Sequence, residues 1–219
     1  MIVLGLTGSI GMGKTTSAGD FRRLGVPVFD SDAEVHKLLA RGGRGVIPVG
    51  ERFPGAVVNG AIDRQSLGTL VFEDGMALKS LEDILHPLVR AEQNAFLRRC
   101  ASQHKDIVLY DIPLLYETGA QQRCDAVVET SAPAFVQEQR VLSRAGMNAA
   151  KLRGILARQT PDHEKRRMAD FVVLTGLGRA YALRQVCNIV RVLKLCRGTV
   201  WPPGGRHGGL YCKQGIPDA

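Results

Sequence analysis

The 219-residue sequence predicts a doubly wound α/β fold, and two observations carry that expectation. Short apolar runs of strand length alternate with stretches whose apolar residues recur at helical spacing. The first run passes straight into a glycine-rich turn that opens a helix, an order that implies parallel strands joined by right-handed crossovers.

Ile2–Thr7 is a continuous apolar run, as in a strand covered on both faces, and a helical pattern follows through Leu24. Gly25 closes that helix, and Val26–Asp30 reads as a second short strand. Residues 35–72 are less regular, with a glycine-rich break at Gly42–Gly45 and a turn at Asn59-Gly60. Leu78–Cys100 reads as a helix with Leu81, Leu85, Leu88 and Phe96 at helical spacing and a kink at Pro87. Ile107–Ile112, Ala126–Thr130 and Phe171–Thr175 bring the strands to five. Between the last two, Ala134–Leu156 is helical and basic with a break near Gly146, and Arg179–Leu195 is a final helix. From Gly198 the composition changes to Trp201-Pro-Pro-Gly-Gly-Arg-His-Gly-Gly. Residues 1–197 are therefore expected as one domain and 198–219 as a flexible, basic Gly/Pro-rich tail.

Composition narrows the function classes. Hydrophobic residues make up 45% and charged residues 23%, as in an ordinary globular protein. The first apolar run has no basic region before it, so it reads as a strand rather than a signal peptide, and no stretch approaches bilayer length. The five cysteines are odd in number and scattered, without a C-x-x-C pair. They are expected as buried thiols in a reducing cytoplasm, with no disulfide framework and no zinc site. The net charge of +8 is local: residues 133–167 carry +5, residues 191–213 another +5, and the remainder −2. Two patches of this kind suit a polyanionic small molecule plus a basic tail. With only 5% aromatic residues and no RNP, KH or helix-turn-helix pattern, no nucleic-acid partner is expected.

Gly8-Ser9-Ile10-Gly11-Met12-Gly13-Lys14-Thr15 satisfies G-x-x-x-x-G-K-[ST] at every fixed position, in the required strand–loop–helix setting. Its glycines let backbone N–H groups turn inward on phosphate oxygens, and the helix N-terminus adds partial positive charge. Lys14 would reach the β- and γ-phosphates of ATP, the Thr15 hydroxyl would ligate Mg²⁺, and Thr16 beside it would join the nucleotide site. A phosphate loop alone does not separate a kinase from a GTPase or a motor ATPase, although no N-K-x-D guanine-reading motif is present.

Asp30-Ser31-Asp32 ends the second strand, at the sheet edge where α/β ligands sit. One carboxylate there could take the proton of an attacking hydroxyl, or Asp32 could simply cap the next helix. Asp111 ends the third strand, as a carboxylate holding Mg²⁺ through water would, or as a turn residue ahead of Pro113.

Taken together these stretches resemble the dephospho-CoA kinase family over about Ile2–Leu195. Besides the phosphate loop, the resemblance rests on Leu24-Gly25-Val26-Pro27-Val28 leading to Asp30-Ser31-Asp32, and on Leu85-His86-Pro87-Leu88. It also rests on Asp111-Ile112-Pro113-Leu114-Leu115-Tyr116-Glu117-Thr118-Gly119 and Ile155-Leu156-Ala157-Arg158-Gln159. The resemblance implies a P-loop kinase fold with a five-stranded parallel sheet, a helical acceptor-binding insertion at about 33–90 and a lid at about 134–167. It implies transfer of the γ-phosphoryl group of ATP to the 3′-hydroxyl of dephospho-CoA, with Mg²⁺, and Asp32 as base. His86, Pro87 and Asp111 would lie on the acceptor side. Arg140 and Arg144, four apart on one helical face, would close over the phosphates, and Thr175-Gly176 would meet adenine. His36 stands where the family often has an arginine, with Lys37 as a possible substitute, and the tail has no counterpart. Another small-metabolite kinase on the same scaffold is the alternative activity, and a non-enzymatic nucleotide-binding protein with a nucleic-acid-binding tail the alternative class. A monomer without membrane attachment is favoured.

Overall fold

The computed structural model describes residues 1–71, 74–202 and 210–212. In chain order, β1 (Ile2–Thr7) leads to α1 (Lys14–Arg23), then β2 (Val28–Asp30) to α2 (Ser31–Leu39). Next come α3 (Val46–Arg52), β3 (Val57–Val58), β4 (Ala61–Ile62), α4 (Arg64–Val71) and α5 (Gly75–Ser102). Then β5 (Ile107–Asp111), β6 (Ala126–Ser131), α6 (Ala134–Leu142), α7 (Ala149–Leu156), α8 (Asp162–Met168), β7 (Phe171–Leu174) and α9 (Arg179–Leu193) follow. β8 (Cys196–Arg197) and β9 (Tyr211–Cys212) end the described chain.

Two compact units result, residues 1–29 with 100–219, and residues 30–99. The first is built on a five-stranded, all-parallel sheet in the order β2-β5-β1-β6-β7. Every residue of β1 is buried, because a central parallel strand is covered by helices on both faces. Leu4, Leu6, Leu109 and Val128 of the sheet pack with Phe21 of α1 and with Val186, Val190 and Leu193 of α9. The chain leaves β1 with β5 on one side and β6 on the other, so the loop after β1 sits where the strand order reverses.

The unit 30–99 has its own core, including Leu39, Val49, Phe53, Ile62, Leu67, Leu81 and Leu85. The turn expected at Asn59-Gly60 joins β3 to β4 as an antiparallel hairpin. Both turn residues take positive φ, 51° and 75°, which is why Asn-Gly suits the position. Pro87 lies inside the continuous helix α5, and the expected break near Gly146 separates α6 from α7.

The cysteine and tail expectations change. Cys196 and Cys212 form a disulfide that staples β8 to β9, whereas Cys100 and Cys124 are the buried thiols expected. No short motif advertised this pair, because the hairpin and not the spacing brings the residues together. Residues 199 and 200 are also anchored: the buried Asp125 carboxylate accepts from the N–H groups of Thr199 at 2.5 Å and Val200 at 2.9 Å. The expected tail positions 203–209 and 213–219 lie outside the described residues. Among the described residues no helix is long and apolar enough to cross a membrane.

Candidate active site

The turn between β1 and α1 is shaped by its glycines and gripped from outside. Gly11 and Gly13 take φ of 79° and 93°, a region that other residues avoid. A methyl group at Gly11 would lie 2.6 Å from Val141 Cγ2, so α6 packs against the crest of the loop. Gly8 packs against Thr130 of β6, and Gly176 against Pro133. The helix α1 begins at Lys14 without a side-chain cap, which leaves its first N–H groups and positive dipole end to an anion.

Lys14 is ion-paired with Asp111. Sheet register causes this, because Leu6 near the end of β1 stands beside Asp111 at the end of β5. Thr15 and Thr16 are exposed on the first turn of α1. Met12 is buried: its sulfur accepts from the Ala132 N–H at 3.1 Å, and its carbonyl accepts from the Thr175 hydroxyl at 2.7 Å. Arg140 completes the cluster. Its Nη1 donates to Thr175 Oγ1 at 2.9 Å and to the Gly11 carbonyl at 3.3 Å, and Nη2 donates to the Thr175 carbonyl at 2.8 Å. The phosphate loop, Lys14, Asp111, Arg140 and Thr175 are thus brought together in one unit. Arg144 does not share the helical face of Arg140, because α6 ends at Leu142 and places Arg144 exposed in the following turn.

In the unit 30–99, Asp30 caps α2 by accepting from the Ala33 N–H at 2.9 Å. The capping role therefore belongs to Asp30, and Asp32 is exposed on the first turn of the helix. His86 and Pro87 are exposed midway along α5. Arg64 Nη1 lies 3.0 Å from His36 Nδ1. A guanidinium can only donate, so that ring nitrogen is the acceptor. Lys37 is ion-paired with Glu34 at 3.0 Å. The guanidinium beside this stretch of α2 thus comes from Arg64, which nothing in the local sequence marked.

Behind the phosphate loop lies a buried polar cluster. Glu129 of β6 and Lys165 of α8 are both fully buried. Burial pushes the Glu129 carboxyl up to about 8, opposed by the Lys165 ammonium and reinforced by Asp162 and Glu117. Burial likewise pushes the Cys124 thiol up to about 12, so it is no nucleophile. Burial would raise Glu117 too, but the Thr160 and Glu117 N–H groups and Lys165 hold its carboxyl below the ordinary value. Glu117 and Gln159 sit inside motifs quoted above without a role assigned to them. Gln137, which donates to the Ile10 carbonyl at 2.8 Å, carried no sequence signal at all.

The family model described as dephospho-CoA kinase matches residues 2–177. The chain is 53% identical over 199 residues to the dephospho-CoA kinase of Mesorhizobium japonicum, covering 91% of this chain and 100% of the relative. With that of Paramagnetospirillum magneticum it shares 57% over 166 residues, covering 76% and 78% of the two chains. Among solved structures, a Thermus thermophilus protein superposes with a TM-score of 0.77 at 35% identity, covering 87% of this chain and 96% of its own.

Proposed function

The chain belongs to the dephospho-CoA kinase family, and from that premise we propose an assignment of the reaction to its residues. The protein is an ATP-dependent kinase that converts dephospho-coenzyme A to coenzyme A. The γ-phosphoryl group of ATP goes to the 3′-hydroxyl, and ADP leaves. The observation that carries the donor half is the complete phosphate cradle, with Lys14 and Asp111 paired at its mouth.

The backbone N–H groups of residues 8–13 and Lys14 bind the β- and γ-phosphates. ATP oxygens compete with Asp111 for the Lys14 ammonium, and this exchange aims the lysine at the transferring group. Mg²⁺ is a proposal that the donor set fits: Thr15 offers an exposed hydroxyl on the first turn of α1, and Asp111 a buried carboxylate at a strand end. When bound it neutralises charge on the phosphate oxygens. Three of the five N–H donors of Arg140 are committed to Gly11 and Thr175, so it meets phosphate from a fixed position. Arg144, exposed in the next turn, is assigned as a second phosphate donor, and α6–α8 serve as the lid. Thr175 and Gly176 are assigned to the adenine side.

Asp32 accepts the proton of the attacking hydroxyl. What supports this is that Asp30 satisfies the helix N-terminus, which removes the structural reason for a second aspartate in the turn. His86, Pro87 and the Arg64–His36 pair are assigned to the acceptor. ADP release with Mg·ATP and a panel of dephospho-CoA, adenosine, shikimate and nucleoside monophosphates tests the reading. Dephospho-CoA should be preferred by orders of magnitude in kcat/KM, and preference for another acceptor would refute the assignment.

A further inference from the structure

Lys165 is the one lysine among the buried charged residues of the described chain, and its side chain is 0% exposed. A buried ammonium loses several kcal/mol of hydration, so it persists only where acidic side chains converge on it. Here they come from three elements. Glu117, in the connection after β5, lies 3.1 Å away as an ion pair without the alignment of a hydrogen bond. Glu129 enters from β6, both its carboxyl oxygens lacking hydrogen-bond partners among the described residues. Asp162, one turn earlier on α8, accepts from the Ser131 hydroxyl at 2.9 Å.

The geometry of Glu117 shows what the cluster holds. The oxygen that faces Lys165, Oε1, also accepts from the Thr160 N–H at 2.7 Å. One carboxylate therefore ties Thr160, just before α8, to Lys165 within α8. Gln159, adjacent to Thr160, accepts through Oε1 from the Ile10 N–H at 3.2 Å, at the crest of the phosphate loop. The Ile10 carbonyl in turn accepts from Gln137 of α6. Both polar atoms of Ile10 are thus held by the α6–α8 segment, and the grip on its N–H leads through Thr160 and Glu117 to Lys165.

We propose that Lys165 is a positioning residue for phosphoryl transfer, acting through Glu117 on the Gln159–Thr160 turn to fix the phosphate loop at Ile10. It touches neither nucleotide nor acceptor. It sets the shape of the loop that binds ATP, so its loss shows first in ATP binding. A purely structural ion pair would behave differently: removing both charges of a buried pair commonly restores stability, and ATP affinity would return with it. The inference rests on the reading of residues 8–15 as the ATP site and is independent of which acceptor is used.

The test compares Lys165→Met, Glu117→Gln and the double variant K165M/E117Q with the wild type. Melting temperature, Mg·ATP dissociation constant, KM for each substrate and amide exchange of residues 8–13 are measured on the full chain. The single variants should raise the ATP dissociation constant and KM by about tenfold or more, with KM for the acceptor little changed and faster exchange in the loop. The double variant should regain melting temperature and keep the ATP defect. A folded Lys165→Met enzyme, or a double variant, with wild-type ATP affinity and loop exchange would overturn the proposal. If Lys165→Met does not fold, Glu117→Gln and the double variant decide in the same terms. Wild-type enzyme that fails to bind Mg·ATP would refute the ATP-site reading, and the positioning role of Lys165 with it.

Discussion

Lys14 and Asp111 meet because neighbouring parallel strands end at the same level of the sheet, and under the proposed assignment ATP displaces their ion pair. Lys14→Ala removes a charge-assisted contact of about 1.5–3 kcal/mol and should lower ATP affinity about 10- to 100-fold, with turnover falling as well, read by calorimetry and initial rates. Asp32→Asn should lower kcat by about 10²–10⁴ while ATP affinity stays near wild type, as expected of a lost general base. Collapse of ATP binding with unchanged turnover per bound nucleotide would make Asp32 a structural residue instead. Glu129 gives a pH prediction. Its carboxyl rises from an ordinary 4.5 to about 8 in the folded protein, so the folded state binds the extra proton across that window. The associated stability is present in full below the lower value and is lost as pH rises through the upper one. Glu129→Gln should flatten that slope, seen as denaturation midpoints at pH 5 and pH 8 lying closer together than in the wild type.

At the scale of single elements, caps and packing decide more than propensity. Asp30 and Asp32 are equivalent as symbols, yet only Asp30 has the extended backbone of an N-cap, with φ −92° and ψ 106°. Asp30→Ala should therefore destabilise α2 by about 1 kcal/mol without abolishing turnover, measured as faster amide exchange at residues 31–36. The phosphate loop shows the same dependence on neighbours. Its glycines were legible from spacing, but the reason Gly11 must stay small is Val141, contributed by a helix over a hundred residues later. The shared helical face expected of Arg140 and Arg144 is missing for a related reason. A spacing of four implies a shared face only while the helix lasts, and α6 ends at Leu142.

Over the whole molecule, charge and covalent linkage are arranged by long-range contacts. The Cys196–Cys212 disulfide spans a sequence separation of 16 and closes the β8–β9 hairpin, beside residues 199 and 200 bound to Asp125. Closing a loop of that size contributes about 3 kcal/mol by chain entropy. Cys212→Ser should free the segment after α9 for faster amide exchange and proteolysis, while kcat/KM stays at the wild-type value, because none of the residues assigned to catalysis lies beyond Gly176.

The succession of strands and helices along the chain, the phosphate loop and the family motifs follow from the sequence by itself, because apolar period and glycine placement are local properties. Those signals marked Gly8–Thr15 and Asp111 as the candidate donor site, and Asp32 as one of two candidate bases. Tertiary structure alone decided that Asp30 is the cap, that Arg64 reaches His36, that two distant cysteines meet, and that Lys165 is buried behind the phosphate loop. Each of these depends on which distant segment packs against the residue, and burial and charge pairing are properties of that neighbourhood rather than of the residue's own place in the chain.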